Sequence, residues 1–224
     1  MSSFNDPEDV ARYAEGPVRM VPGFLDLQRM AALLLAERVP SDGTVLVLGA
    51  GGGLELKAFA GWYPGWRFVG VDPSAKMLDL ATRTLGPDAG RALLHQGYIE
   101  TAPAGPFDGA TCLLTLHFVP LEERLRTLGE LRLRLKPGAP LVVAHHSYAQ
   151  TEPEKTIWLS RFAAFAAANG IAPELAQNAA GAISAQLPAV SPADDEELLR
   201  RAGFIGIDLF YAAFSFRGWL ATAP

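Results

Sequence analysis

Cysteine is nearly absent from this 224-residue chain, with Cys112 standing alone. That excludes an internal disulfide and any cysteine metal cluster, and it agrees with a reducing compartment. Basic residues are also in short supply. Nineteen Lys and Arg face 24 Asp and Glu, a net charge of −5, so no cationic surplus exists to neutralise a phosphate backbone and direct nucleic-acid binding is not expected. Long apolar runs are missing as well. The longest, Met30 to Ala36, falls far short of the roughly 20 residues a bilayer crossing requires. Residues 1–19 lack the cationic start and apolar stretch of a signal peptide. The expectation is a cytoplasmic protein with no membrane partner. What the chain has in quantity is apolar surface. With 50% hydrophobic and 19% charged residues, it buries a substantial core and is not disordered.

Strand and helix signals alternate. Thr44–Leu48 and Arg67–Val71 are short apolar runs, read as strands buried on both faces of a parallel sheet. Each is followed by a helical stretch, and Ser74 is a good N-cap for the second one, over 75–84. Ala92–Gln96, Gly109–Leu114 and Leu141–Ala144 continue the series. Leucines at 121, 125, 128, 131 and 135 mark one face of the helix before the last of these strands. Residues 151–190 carry helix signals only, opened by the capping-box spacing of Thr151 and Glu154. A helix from Ser191–Pro192 and a hairpin near Ser215–Gly218 close the chain. The expected organisation is an N-terminal helical cap over 1–43, an α/β core over 44–150, a helical insertion over 151–190, and a completing helix and hairpin over 191–224.

In an open α/β sheet, ligands sit at the carboxyl ends of the strands. The first strand ends in Gly49-Ala-Gly-Gly-Gly53, where bare backbone approaches a ligand closely and the following helix start offers free N–H groups. The second strand ends at Asp72, 23 residues after Gly49, where a carboxylate accepts from both hydroxyls of an adenosine ribose. The pair points to an adenosine-containing cofactor. A dinucleotide fingerprint would place its third glycine at 54, which is Leu54, so NAD or FAD is disfavoured. No P-loop lysine–serine pair is present, which argues against NTP hydrolysis.

Five alternating strands closed by a hairpin resemble the class I S-adenosylmethionine-dependent methyltransferases. The resemblance implies a doubly wound, mostly parallel seven-stranded sheet of Rossmann-like type, with an antiparallel C-terminal hairpin. Val21–Phe24, Leu114–Phe118, Leu135–Gly138, Ala168–Gly170, Ala202–Phe204 and the tail Phe210–Phe216 further resemble the carboxy-S-adenosylmethionine synthase family, which serves tRNA wobble-uridine modification. By that resemblance, Phe24 is a cap aromatic and Gly49, Ala50 and Gly51 lie under the methionine moiety. Asp72 and Pro73 hold the ribose, Tyr98 and Ile99 frame the adenine, and Leu113 lines the methionine side. The chain departs from the family at four places. Ala180 stands where the family has the arginine that holds the extra carboxylate, Val47 where an acid is usual, Tyr98 where the adenine side carries an acid, and Leu113 where the residue is polar.

The expected function is therefore methyl transfer from S-adenosyl-L-methionine to a small-molecule acceptor. Two alternatives stay open: a carboxy-S-adenosylmethionine synthase-like enzyme, and a non-catalytic adenosyl-ligand binder. His117 and His145, after the fourth and fifth strands, are the candidate bases, because histidine titrates near neutral pH. His146 adjoins His145, but adjacent strand residues point to opposite faces, so no metal is expected there. Tyr13, Phe24, Trp158 and Phe162 are candidate walls of an acceptor pocket. Cys112 reads as a buried hydrophobe, and Asp194–Glu197 as a solvated helix turn complementing the dipole. A homodimer is expected from the resembled family and the alanine-rich helices.

Overall fold

A computed structural model describes residues 15–224. Its centre is one seven-stranded sheet in the order β3-β2-β1-β4-β5-β7-β6. The strands are β1 (Thr44–Leu48), β2 (Arg67–Asp72), β3 (Ala92–Gln96), β4 (Gly109–Leu113), β5 (Pro140–His146), β6 (Ile205–Ala213) and β7 (Phe216–Thr222). The first five pair in parallel. The hairpin adds β7 antiparallel to β5 and β6 antiparallel to β7. This is the expected doubly wound sheet with its reversed terminal strand.

The helices are α1 (Glu15–Met20), α2 (Phe24–Ala36), α3 (Leu54–Trp62), α4 (Ala75–Leu85), α5 (Leu121–Leu133), α6 (Glu154–Ala168), α7 (Pro173–Gln186) and α8 (Pro192–Arg201). They divide between the two faces because successive strand residues point opposite ways. Val45 and Val47 of β1 pack with α2, α3 and the α6–α7 pair. Leu46 and Leu48 pack with α5 and α8. Strands covered on both sides need apolar residues throughout, hence β1, β4 and β5 read as nearly unbroken apolar runs. The β3–β4 crossover holds only a 3-10 turn, Ile99–Thr101. Helix α4 packs against β3 on the face of Ala92 and Leu94, while Leu93, on the other face of that edge strand, stays 59% exposed.

The order reverses between β1 and β4. From β1 the chain crosses on one face through α3, and from β4 on the other through α5, so a crevice opens at their carboxyl ends. The N-terminal helices close over it. Helix α1 packs on α2 and α6, and α2 packs on β4 and β5. The Tyr211 hydroxyl on β6 donates to the Pro22 carbonyl at 2.5 Å and fastens the cap to the hairpin.

Two local readings change. Thr151 and Glu154 bond each other through their side chains at 3.3 Å and do not cap backbone N–H groups. Helix α6 begins two residues later than that spacing implies, at Glu154. The capping box lies at α8, where the Ser191 hydroxyl accepts from the Asp194 N–H and the Asp194 carboxylate accepts from the Ser191 N–H. Ser74 caps α4 as expected, its hydroxyl accepting from the Met77 N–H at 3.3 Å.

The glycine loop also serves packing. Gly53 has φ +79°, and a Cβ there would lie 2.8 Å from Ala81 Cα on α4. Gly53→Ala is therefore expected to destabilise the fold by about 1–3 kcal/mol, combining left-handed strain with a backbone clash. Gly61 in α3 has open space around it, and Gly61→Ala should be neutral or stabilising by up to about 1 kcal/mol. Urea denaturation of both variants checks this. A Gly53→Ala midpoint equal to the parent's would refute it.

Candidate functional site

The site grows from the turn after β1. Gly49 N–H and Ala50 N–H both donate to the Val71 carbonyl of β2, at 2.8 and 3.0 Å. Gly49 has φ +79°, and a Cβ on it would fall 1.9 Å from Thr115 Oγ1, so glycine is required for the β4 loop to close against the β1 loop. Asp72 joins this turn to the next. Its Oδ2 accepts from Gly51 N–H at 3.0 Å and its Oδ1 from Ser74 N–H at 2.9 Å. Burial pushes the carboxyl above its usual range, and the two N–H donors oppose that shift. Each oxygen keeps a lone pair beyond these bonds.

A small cavity of about 60 Å³ lies beside the turn, room for a few waters at roughly 10–15 Å³ apiece. Its floor is Gly49 and Ala50, with Leu113 and Thr115 from the end of β4, and Phe24 and Gln28 of α2 close it. Glu55, in the first turn of α3, lines the same space and is only 8% exposed. The Thr111 hydroxyl of β4 donates to Glu55 Oε1. Burial holds the Glu55 carboxyl protonated, its pKa pushed up to about 8.

The structure thus brings Phe24, Gly49, Ala50 and Leu113 around one cavity, with Gly51 and Asp72 hydrogen-bonded in the adjoining turns. Pro73 is exposed at the end of β2. Tyr98 lies after β3 and is 65% exposed, while the Ile99 side chain packs in the core on the α5 face. Ile99 therefore presents no side chain to an adenine, and Tyr98 is the residue of that pair open to one. Tyr13 lies outside the described residues.

His117 and His145 are not at the cavity. His117 is 4% and His145 1% exposed. His117 Nδ1 accepts from the His146 N–H at 3.2 Å, and burial holds its pKa well below the ordinary value. His145 Nε2 lies 3.1 Å from Asp195 Oδ1, on the opposite face from His146, which stacks on Phe216 at 4.0 Å. These rings form a buried seam between β5, the hairpin and α8. The sequence led to the expectation of these rings beside a reacting methyl group; the structure places both in this seam, outside the cavity lining. Asp195 corrects a second expectation. It is 2% exposed, turned inward to His145 and Arg124, while the rest of its helix turn meets solvent. Phe162 and Tyr148 are core residues, and Trp158 is half-buried between Arg161 and Arg217, 4.6 and 5.2 Å from its ring centre. Among the described residues, no group of three His, Cys, Asp or Glu is placed to hold a metal ion, and no helix is long and apolar enough to cross a membrane.

Glu55 and Thr111 were missed from sequence. A signal existed: Glu55 is four residues before Phe59, on the buried face of α3 with Leu56 and Ala60. A carboxylate placed on the apolar stripe of a helix has a buried position by periodicity alone.

Comparison with known proteins follows this geometry. A family model described as a methyltransferase domain matches residues 45–138. The carboxy-S-adenosyl-L-methionine synthase of Chromohalobacter salexigens is 28% identical over 222 residues, covering 96% of this chain and 82% of that protein. Among solved structures, an O-methyltransferase family protein from Burkholderia thailandensis superposes with TM-score 0.70 at 16% identity, covering 99% of this chain. Human N-acetylserotonin methyltransferase, solved in complex with S-adenosylmethionine, gives 0.66 at 15% identity and 98% coverage. The chain spans 61% and 57% of the lengths of these two proteins; the shared part is the fold.

The buried groups set a stability optimum in pH. Glu55 keeps its proton to about pH 8 when folded and loses it near 4.5 when unfolded, so stability falls as pH rises between those values. His146 charges near 6.5 when unfolded and near 3 when folded, and His117 is shifted the same way, so stability falls as pH drops below 6.5. The two histidines outweigh Glu55 on the acid side, which puts the maximum near 6.5. From pH 6.5 to 8 the parent should lose up to about 2 kcal/mol, at about 1.4 kcal/mol per pH unit for one whole proton. Glu55→Gln should flatten that limb. Chemical denaturation at the two pH values checks this, and equal losses in both proteins would refute it.

Proposed function

We propose that this chain is a class I S-adenosylmethionine-dependent methyltransferase and methylates a small-molecule acceptor, a reading supported by the methyltransferase-domain match and the likeness in fold. The observation that carries the reading is the Asp72 carboxylate. It is pinned at the end of β2 by Gly51 N–H and Ser74 N–H, beside a cavity closed by the cap. A fixed carboxylate with spare lone pairs suits a vicinal diol, and the adjoining cavity suits the amino-acid end of the same ligand.

When bound, S-adenosylmethionine supplies a methyl group already activated by its sulfonium. The chain's own task is then to bind, orient and exclude water. In this reading Asp72 and the backbone of Pro73 hold the ribose, with Tyr98 beside the adenine. Phe24, Ala50 and Leu113 supply apolar walls, and the α1–α2 cap covers them. His117 and His145 have no part in proton transfer. Both are buried, and His117 is held neutral below its ordinary range. The acceptor's proton leaves to solvent or with a group of its own.

Similarity along the chain to a carboxy-S-adenosyl-L-methionine synthase favours that activity as the second reading. The α7 helix argues against it. Ala180 is buried among apolar residues, and no arginine occurs between Arg161 and Arg200 in the sequence. Lys155 is the cation that reaches α7, and it donates to the Ser184 carbonyl at 3.3 Å. Without a cation of its own, a carboxylate buried at Ala180 costs several kcal/mol, roughly the desolvation of an unpaired charge. The net charge of −5 disfavours a nucleic-acid partner. Exposed Ile157 and Leu175 on α6 and α7 support a homodimer through these helices. The single free thiol, Cys112, fits the cytoplasm.

Calorimetric titration should show S-adenosylmethionine or S-adenosylhomocysteine binding at about micromolar Kd, roughly −8 kcal/mol. Asp72→Ala should weaken it by about 1–3 kcal/mol, the loss of charge-assisted hydrogen bonds. NADH binding with no response to either ligand would overturn the reading. In competition, a tenfold preference for carboxy-S-adenosylmethionine would move the second reading to first place.

A further inference from the structure

We propose that the Glu55 carboxylate is the counter-charge for the ammonium group at the amino-acid end of the cofactor. The inference rests on the S-adenosylmethionine reading above and adds to it a recognition residue on a helix. Three observations support it. Glu55 lines the cavity formed by Gly49, Ala50 and Leu113, and among the described residues it is the one ionisable side chain in that lining. Thr111 Oγ1 donates to Oε1, which fixes the carboxyl through one oxygen and leaves Oε2 outside that bond. The cavity, about 60 Å³, admits only the end of a ligand whose ribose is held at Asp72. That end carries the ammonium, whereas the sulfonium sits in the middle of the molecule.

Charge decides which half of the zwitterionic end enters. Among the described residues, the lining contains no lysine, arginine or histidine, so there a carboxylate would enter unpaired and an ammonium would enter paired. A structural role alone is a poor account of the residue. An acid this buried with one hydroxyl partner costs stability, and a leucine would fill the same apolar stripe without that cost. The groups facing it are few. From β4 comes Thr111; the neighbouring Cys112 packs on the opposite face of the sheet, its pKa pushed up to about 12 by burial first and then by the Glu55 charge. From α2 comes the neutral Gln28. Near neutral pH, Glu55 is protonated in the free protein. Pairing with an ammonium therefore releases its proton to solvent.

The test titrates S-adenosylmethionine, S-adenosylhomocysteine and 5′-methylthioadenosine into the parent protein and into Glu55→Gln. Glutamine keeps the length and the Thr111 bond. The first two ligands carry the ammonium; the third lacks it. Glu55→Gln should weaken S-adenosylmethionine and S-adenosylhomocysteine by tenfold or more and 5′-methylthioadenosine by less than twofold. Equal weakening of all three, or of none, overturns the inference. Weakening of S-adenosylmethionine alone assigns Glu55 to the sulfonium and also overturns it. If the variant does not fold, the parent protein decides. Calorimetry at pH 7 in two buffers of different ionisation enthalpy should show release of about half a proton or more per S-adenosylhomocysteine bound, as a group with a pKa near 8 requires, and none with 5′-methylthioadenosine. No release overturns the inference. Failure of the parent to bind any of the three ligands refutes the methyltransferase reading itself and is distinct from every outcome above.

Discussion

The Asp72 carboxylate is where the two halves of the crevice meet. Its oxygens accept from Gly51 N–H on one turn and Ser74 N–H on the next. Without it, the glycine turn would have an N–H to satisfy elsewhere, and α4 would enter from an unfixed loop. The same constraint reaches outward. Gly49 must lack a Cβ so that Thr115 can close from β4, and Gly53 must lack one so that α4 can approach. Ligand access and packing thus ask for the same small residues, and neither use alone explains the whole run Gly49–Gly53.

A sheet covered on both faces sets the rest of the design. Its central strands are apolar at nearly every position, so polar groups at their ends have to find partners among themselves. At the end of β5 they do so imperfectly. His145, Asp195 and Arg124 lie together in the interior, yet His145 Nδ1 and Nε2 and both Asp195 oxygens lack well-formed hydrogen bonds. A buried ionic set of this kind contributes little net stability and is costly to break at one partner. It ties α8 and α5 to the end of β5, on the face opposite the α6–α7 pair. These histidines belong to the scaffold that supports the crevice.

Much of this was legible from residues alone. Unbroken apolar runs such as Val45–Leu48 announced parallel strands, and the hairpin after the fifth strand placed the terminal reversal. The loop at 49–53 and Asp72 marked the crevice because glycine and carboxylate are needed there for reasons a sequence can display. The histidines misled because strand ends were equated with ligand contact. The side of the sheet that a ring takes depends on tertiary partners such as Asp195 on α8, which sequence spacing does not reveal. Thr151 misled in the same way: the spacing of a capping box is necessary for the motif, but the backbone entry angle decides whether the hydroxyl meets an N–H.

Val47 and Glu55 meet at one strand pair through Thr111. Val47 of β1 is fully buried and pairs in register with Thr111 of β4. Thr111 in turn bonds Glu55. A side chain from the helix thereby reaches the strand pair where the resembled family carries an acid on the strand itself. An acid on the strand would be held by the sheet. One on the helix needs a hydroxyl to position it, and Thr111 supplies that hydroxyl from an otherwise apolar strand. The polar pair Glu55–Thr111 has no place in an argument from core packing, since two aliphatic residues would fill the same volume at lower cost. Its presence is accounted for by the cavity it lines.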